Sequence, residues 1–282
     1  MIKITTIFAA ALISVGLAGP VLAQNDAPAE DATIVKQHWS FAGIFGTYDQ
    51  NQLQRGFQVF QQVCSACHSA HLLAFRNLSE PGGPGFTEGQ VKALAAQYTI
   101  NDPDADGGKR PGLASDNWPG PDQSPEDLKA SFGIVPPDFS VIAKARSTED
   151  AFPNWLWNYF TTYGEGGPDY IHALLNGYED QPPAGFQLPD GKYYNKIFPA
   201  HSIGMPPPLT DGAVQYAPGA DGQTVPLTVD QYSRDVAAYL MWLAEPHLDA
   251  DKAAGFRVFT FLILFAVLMY LAKQRLWRRV EH

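Results

Sequence analysis

Residues 64–68 read Cys-Ser-Ala-Cys-His, and Cys64 and Cys67 are the only cysteines among 282 residues. A C-x-x-C pair can be a short disulfide, a redox pair, half of a zinc site or the thioether anchor of a c-type haem, and each option makes a separate demand on the rest of the chain. Zinc needs two further ligands at suitable spacing, and no second cysteine pair exists. A thioredoxin-like redox pair calls for a surrounding strand–helix pattern, which the flanking sequence lacks. Covalent haem fits directly: the two sulfurs add to the vinyl groups on one porphyrin edge, and the adjacent His68 turns its imidazole under the iron. A single covalent haem is the strongest constraint on the fold, because the chain must wrap a flat macrocycle and supply a sixth ligand from elsewhere.

Methionine is scarce enough for that ligand to be sought by elimination. Met1 is the initiator, Met269 lies in an apolar run, and Met241 sits inside a helical pattern where packing is its ordinary role. Met205 remains, in "HSIGMPPPLTDG". Gly204 permits close backbone approach, and Pro206, Pro207 and Pro208 stiffen the segment before folding, so holding a thioether against iron costs less entropy. His/Met ligation raises the potential and suits an electron carrier. His201 is the rival ligand and would give a bis-His iron; its other role is that of a solvated or supporting residue, as for His38, His71, His172 and His247.

Two apolar runs set the address. Residues 1–23 carry Lys3 ahead of an apolar stretch and end in Val21-Leu22-Ala23, the pattern of a cleaved secretory signal. Ala253 to Leu271 contains Arg257 as its one charge, and nineteen residues at about 1.5 Å each span a bilayer core. Lys273, Arg275, Arg278 and Arg279 then form a cationic stop that stays in the cytoplasm, with Arg257 snorkelling to the outer interface. The expected organisation is a signal over 1–23, a periplasmic domain over 24–252, a transmembrane helix over 253–272 and a basic tail over 273–282, in the inner membrane. The 24–252 region holds 13 basic and 28 acidic residues, a net charge of −15. Such a surface repels nucleic acid and attracts cationic proteins. Asp102, Asp104 and Asp106 form one acidic cluster that reads equally as a docking patch and as a solvated or ion-binding loop.

Within the exported region helical periodicity is confined to a few stretches. Leu53, Phe57, Phe60 and Val63 share one face of a helix expected from Asp49 to His68. Further helices are expected at Glu88 to Tyr98, Trp155 to Thr161 and Asp169 to Asn176, and at 228–248, where Thr228 is the N-cap and Tyr232, Val236, Tyr239 and Leu243 form a stripe ahead of Pro246. No run alternates as a strand does. Residues 101–127 and 177–227, rich in Asp, Gly and Pro, read as long loops, which a compact domain keeps for a reason.

The segments "RGFQVFQQVCSACHS", "PPDFSVIAKAR", "GGPDYIHALLNGY", "YYNKIFPAHSIGMPPPL" and "DVAAYLMWLAEP", with a membrane helix after the last, resemble in order the landmarks of the cytochrome c1 family, from about His38 to the C-terminus. The resemblance implies a mainly α fold: a cytochrome c-like haem domain with long loop insertions and one C-terminal transmembrane helix. It implies thioethers on Cys64 and Cys67, axial ligands His68 and Met205, a haem propionate neutralised by Arg146, and Tyr170 as a haem-pocket aromatic. It further implies a dimeric complex with cytochrome b and Rieske iron–sulfur subunits, and single electrons delivered to a soluble or tethered c-type cytochrome. Some bacterial members carry a second cysteine pair; here both cysteines are used by the haem, so the Met205 loop must rely on packing and its prolines. A tethered cytochrome donating straight to a terminal oxidase, a haem enzyme with an open iron position, and a structural module with a Cys64–Cys67 disulfide are the competing readings.

Overall fold

The computed structural model describes residues 34–146, Asn158, 163–217 and 224–278. The expected signal segment lies outside the described residues, and so does the helix expected at Trp155 to Thr161 apart from Asn158, which is helical.

Helix α1, Gln50–Gln62, starts where the Asp49 carboxylate accepts the Gln52 amide at 3.0 Å. It buries Leu53, Phe57, Val59 and Phe60, most of the face that the spacing predicts. The α-helix stops at Gln62, short of the expected His68. A 3-10 turn comes next over Cys64–Ala66, and the amides of Cys67 and His68 both donate to the Cys64 carbonyl, at 3.1 and 2.9 Å. This tighter winding folds His68 back beside the helix end instead of carrying it onward along the axis.

Helices α2 (Glu88–Ala95), α3 (Pro125–Phe132), α4 (Ile142–Ala145) and α5 (Gly166–Leu175) come next, and α6, Val229–Ala244, is central. Thr228 caps α6 on the Gln231 amide, as its sequence indicates. Beyond the expected stripe, α6 also buries Asp235, Ala237, Ala238, Leu240, Met241 and Trp242, so it is surrounded on nearly all sides. Met241 is thus a core residue. Helices α1 and α6 meet at Gly56, where an added Cβ would lie 2.1 Å from the Asp235 carbonyl oxygen; only glycine lets the backbones touch. Beside the crossing, Arg55 binds the fully buried Asp235 carboxylate through two bonds, at 2.9 and 3.1 Å. A bidentate pair of this kind satisfies both charges and fixes the register of the helices.

Aromatic rings fill the space around α1. Phe57 and Phe60 pack on Trp118 and Tyr239, and Trp118 continues to Phe75 and Tyr98. The long segments expected as loops are braced by two small antiparallel sheets. β1 (Thr99–Asn101) pairs with β2 (Lys109–Pro111), Ile100 opposite Arg110, and β3 (Tyr193–Tyr194) pairs with β4 (Ser202–Ile203). Strands of two or three residues are too short to show alternation, which is why the sequence hides them.

Helix α7 runs unbroken from Leu248 to Trp277. Among the described residues it is the one helix long and apolar enough to cross a membrane, with a mean hydropathy of 2.1 over its central window and none of that window buried in the protein. It starts five residues before the apolar run, so its first turn belongs to the domain. The Arg257 Nε donates back to the Ala253 carbonyl at 3.1 Å, toward the N-terminal end of the helix.

Candidate functional site

Cys64 packs against the core beside Tyr239, and Cys64 and Cys67 are not joined to each other by a disulfide. Burial, with the neighbouring Cys67, pushes the Cys64 thiol up to about 12. A thiol so placed is a poor thiolate and hence a poor redox nucleophile.

His68 is held on two sides. Its ring stacks on Phe139, with centroids 4.0 Å apart and planes inclined by 22°, and Nδ1 lies 2.8 Å from the Pro137 carbonyl. A carbonyl only accepts, so Nδ1 carries the proton and Nε2 keeps its lone pair for a metal. Burial holds the imidazole below its ordinary pKa, against the pull of the Pro137 bond and the Asp138 charge, and so favours the neutral, ligating form.

The segment that supplies these contacts, residues 137–140, is latched to residues 69–72. Asp138 accepts from the Ser69 hydroxyl at 2.8 Å, from the His71 amide at 2.9 Å and from the Ser140 amide at 2.8 Å. The Phe139 amide donates to the Ser69 carbonyl, and the Leu72 amide to the Ser140 hydroxyl. Burial opposes ionisation of Asp138, but bonds from Ser140, His71 and Ser69 outweigh it and bring the carboxyl down to about 2. Pro137, Asp138 and Phe139 are the site residues that the sequence does not flag. They lie within "PPDFSVIAKAR", where the arginine alone carries a recognisable role.

A second group of candidate residues lies at the end of α4, in α5 and in the segments that follow it. Met205 is half-buried, and its carbonyl accepts the Tyr178 hydroxyl at 3.1 Å. Tyr178 lies in the electrostatic field of Tyr170, and Tyr170, itself 9 % exposed, in that of Arg146. Burial raises the Tyr170 phenol and the Arg146 charge opposes the rise. Arg146, at the C-terminal end of α4, is exposed. The structure therefore links Arg146 to Tyr170, Tyr170 to Tyr178 and Tyr178 to the Met205 carbonyl; Tyr178 is a residue that the sequence does not single out. Gly204 makes the expected close approach: an added Cβ would stand 3.2 Å from both the Phe132 carbonyl and the Lys192 Nζ.

His201 sits between Tyr194 and Phe186, ring centroids 5.9 and 6.4 Å away, and its Nδ1 is buried with no hydrogen-bond partner among the described residues. Ala200 and His201 both have positive φ, 60° and 51°, a conformation costly for residues with a Cβ. The strained turn stands four residues before Met205 and feeds β4.

The donor set suits a covalently held haem: two thiols one turn apart, an imidazole with its tautomer fixed and Nε2 free, and a thioether on a segment stiffened by prolines. It suits zinc less well, since among the described residues no group of three or more His, Cys, Asp or Glu stands ready to hold a metal. In the acidic cluster, Asp102 is engaged by Arg110 at 2.6 Å, and Arg110 also takes Asp116. Asp104 and Asp106 point to solvent.

The Cytochrome C1 family matches residues 39–280. "Cytochrome c1" of Blastochloris viridis is 48% identical over 87% of this chain and 86% of that protein; "Cytochrome c1" of Cereibacter sphaeroides is 38% identical over the whole chain and 98% of that protein. "Cytochrome b/c1" of Bradyrhizobium diazoefficiens is 49% identical over 85% of this chain, which spans 35% of that longer protein. The chain therefore belongs to the cytochrome c1 family, the electron-transfer haem subunits of the bc1 complex, whose members carry one covalently bound haem c.

Proposed function

We propose that this chain accepts one electron at a time from a Rieske iron–sulfur subunit and passes it to a soluble or tethered c-type cytochrome, within a dimeric complex that also contains cytochrome b. The observation that carries the reading is the 2.8 Å bond from His68 Nδ1 to the Pro137 carbonyl, directly after the cysteine pair, which leaves the Nε2 lone pair to serve as a metal donor. Cys64 and Cys67 would hold the haem through two thioethers, and His68 and Met205 would ligate its iron. Arg146 neutralises a propionate, and Tyr170 forms part of the pocket wall. The bound haem supplies an iron that alternates between ferric and ferrous states. Phe139 and Pro137 hold the His68 ring in place, so little reorganisation accompanies the change of charge. No substrate bond is made or broken, so no residue is assigned as general acid, base or nucleophile and the chain is not an enzyme by itself.

Helix α7 anchors the domain, with residues 1–23 removed on export, the haem domain on the periplasmic side of the inner membrane and the tail from residue 273 in the cytoplasm. Because α7 runs without a break from its domain contacts at Asp249 and Lys252 into the apolar stretch, a rigid subunit is favoured over a cytochrome on a flexible tether. The direction of flow is tested by depletion: in detergent-solubilised complex, ubiquinol reduces the c-type haem only while the Rieske subunit is present. Reduction that persists after removal of that subunit overturns the proposal.

A further inference from the structure

The loop over residues 39–48 is built around the first turn of α7. Its flanks are core residues: Trp39, Phe41 and Tyr48 are buried, with Trp39 and Tyr48 each packed on Phe41. Three contacts strap it to α7 and a fourth to Glu245, the residue that caps α6. Lys252 Nζ donates to the carbonyls of Phe41 and Gly46, at 2.5 and 3.2 Å, the Tyr48 amide donates to the Asp249 carboxylate, and the Tyr48 hydroxyl donates to the Glu245 carbonyl. The turn itself is tight: a Cβ on Gly46 would lie 2.1 Å from the Ala42 carbonyl oxygen.

On this rigid stem the tip points outward and is apolar. Ile44 is 52% exposed and Phe45 78%. The Phe45 ring meets Phe256 of α7 edge-on, with centroids 5.8 Å apart. Phe256 is the fourth residue of the apolar run, about 4.5 Å below its start on a helix, and Arg257 reaches back from the next position toward the N-terminal end of the helix. The tip thus stands at the height where headgroups give way to acyl chains, the layer in which aromatic rings are favoured.

We infer that Ile44 and Phe45 form a second membrane contact, set into the outer leaflet beside α7, which with the helix fixes the tilt of the haem domain on the bilayer. The inference rests on the reading of α7 as a membrane span. The occupant is phospholipid, because the tip offers apolar side chains at the level of the first turn of the apolar run: Ile44 and Phe45 are exposed, Phe45 meets Phe256, and Lys144 is paired with Glu245.

The test uses a nitroxide on Phe45→Cys of the full haem-loaded chain, where Cys64 and Cys67 are consumed and the new thiol is the reactive one. Leu262→Cys reports the bilayer and Asp104→Cys reports water. With the haem reduced, collision with oxygen and with a nickel chelate is compared in phosphatidylcholine nanodiscs and in native membranes holding the assembled complex. In both preparations position 45 is expected to favour oxygen several-fold over the water reporter, approaching position 262. A lipid signal at 262 with a water signal at 45 overturns the second contact and leaves the anchor standing. A water signal at 262 overturns the anchor and the contact together. Shielding of 45 from both reagents in native membranes assigns the tip to a protein partner and overturns the lipid contact.

Discussion

At the scale of single residues, His68 and Met205, the two proposed iron ligands, differ in how the structure holds them. His68 is fixed by a stack and a hydrogen bond on either side of its ring, whereas Met205 is fixed through its backbone, by the Tyr178 hydroxyl on its carbonyl and by the prolines after it. The side chain of Met205 can therefore be exchanged without dismantling the loop. Met205→Leu is expected to retain haem through Cys64 and Cys67, to lower the midpoint potential by about 100 mV or more, and to bind carbon monoxide in the ferrous state where the parent does not. Redox titration and the carbon monoxide difference spectrum read the two effects. A variant that keeps its potential and refuses carbon monoxide excludes Met205 and turns attention to His201, whose buried Nδ1 is unpartnered among the described residues.

At the scale of elements, the latch between residues 137–140 and 69–72 makes the setting of His68 depend on one carboxylate. The Asp138 carboxyl titrates near 2 in the folded protein, below its ordinary 3.8, so the charged form favours folding. That contribution is complete above about pH 4 and is lost as pH falls from about 4 toward 2. Asp138 is partly open to solvent, which discounts the contribution to about 1–2 kcal/mol. Asp138→Asn is expected to lower stability by that amount at pH 7 and to flatten the acid limb of a melting-temperature profile between pH 4 and 2. An unchanged acid limb would show that the latch does not depend on the charge. The latch also marks where the sequence stops being legible. Helices α1 and α6 were legible because Leu53, Phe57 and Phe60, and Tyr232, Val236 and Tyr239, repeat with a helical period. Cys64, Cys67 and His68 were legible because their spacing is itself chemical. Pro137 acts through a carbonyl, which every residue possesses, and β1 to β4 are too short to leave a pattern, so contacts distant in the chain were needed to find them. Asp102 reads as one of an acidic trio, and only its bonds with Arg110 show it serving a hairpin.

At the scale of the whole molecule, charge and anchoring act together. The 24–252 region carries a net charge of −15, a field that steers basic partners, so the rate of electron transfer to a basic c-type cytochrome is expected to fall by about tenfold or more as the Debye length shrinks through about 10 Å; a flat salt profile measured by stopped flow would remove steering from the account. The anchor makes a sharper demand, because the domain does not end where the apolar run begins. Lys252 and Asp249 hold the 39–48 loop from the first turn of α7. A fragment ending at Lys252 is expected to be soluble, red and spectrally normal. A fragment ending at Pro246 lacks the Lys252 and Asp249 straps; at about 1 kcal/mol for each lost bond it should melt about 5–10 °C lower. Equal melting temperatures would mean that the first turn of α7 belongs to the membrane helix alone. A fragment ending at Lys252 that fails to hold haem after export would instead give α7 a part in forming the haem site itself.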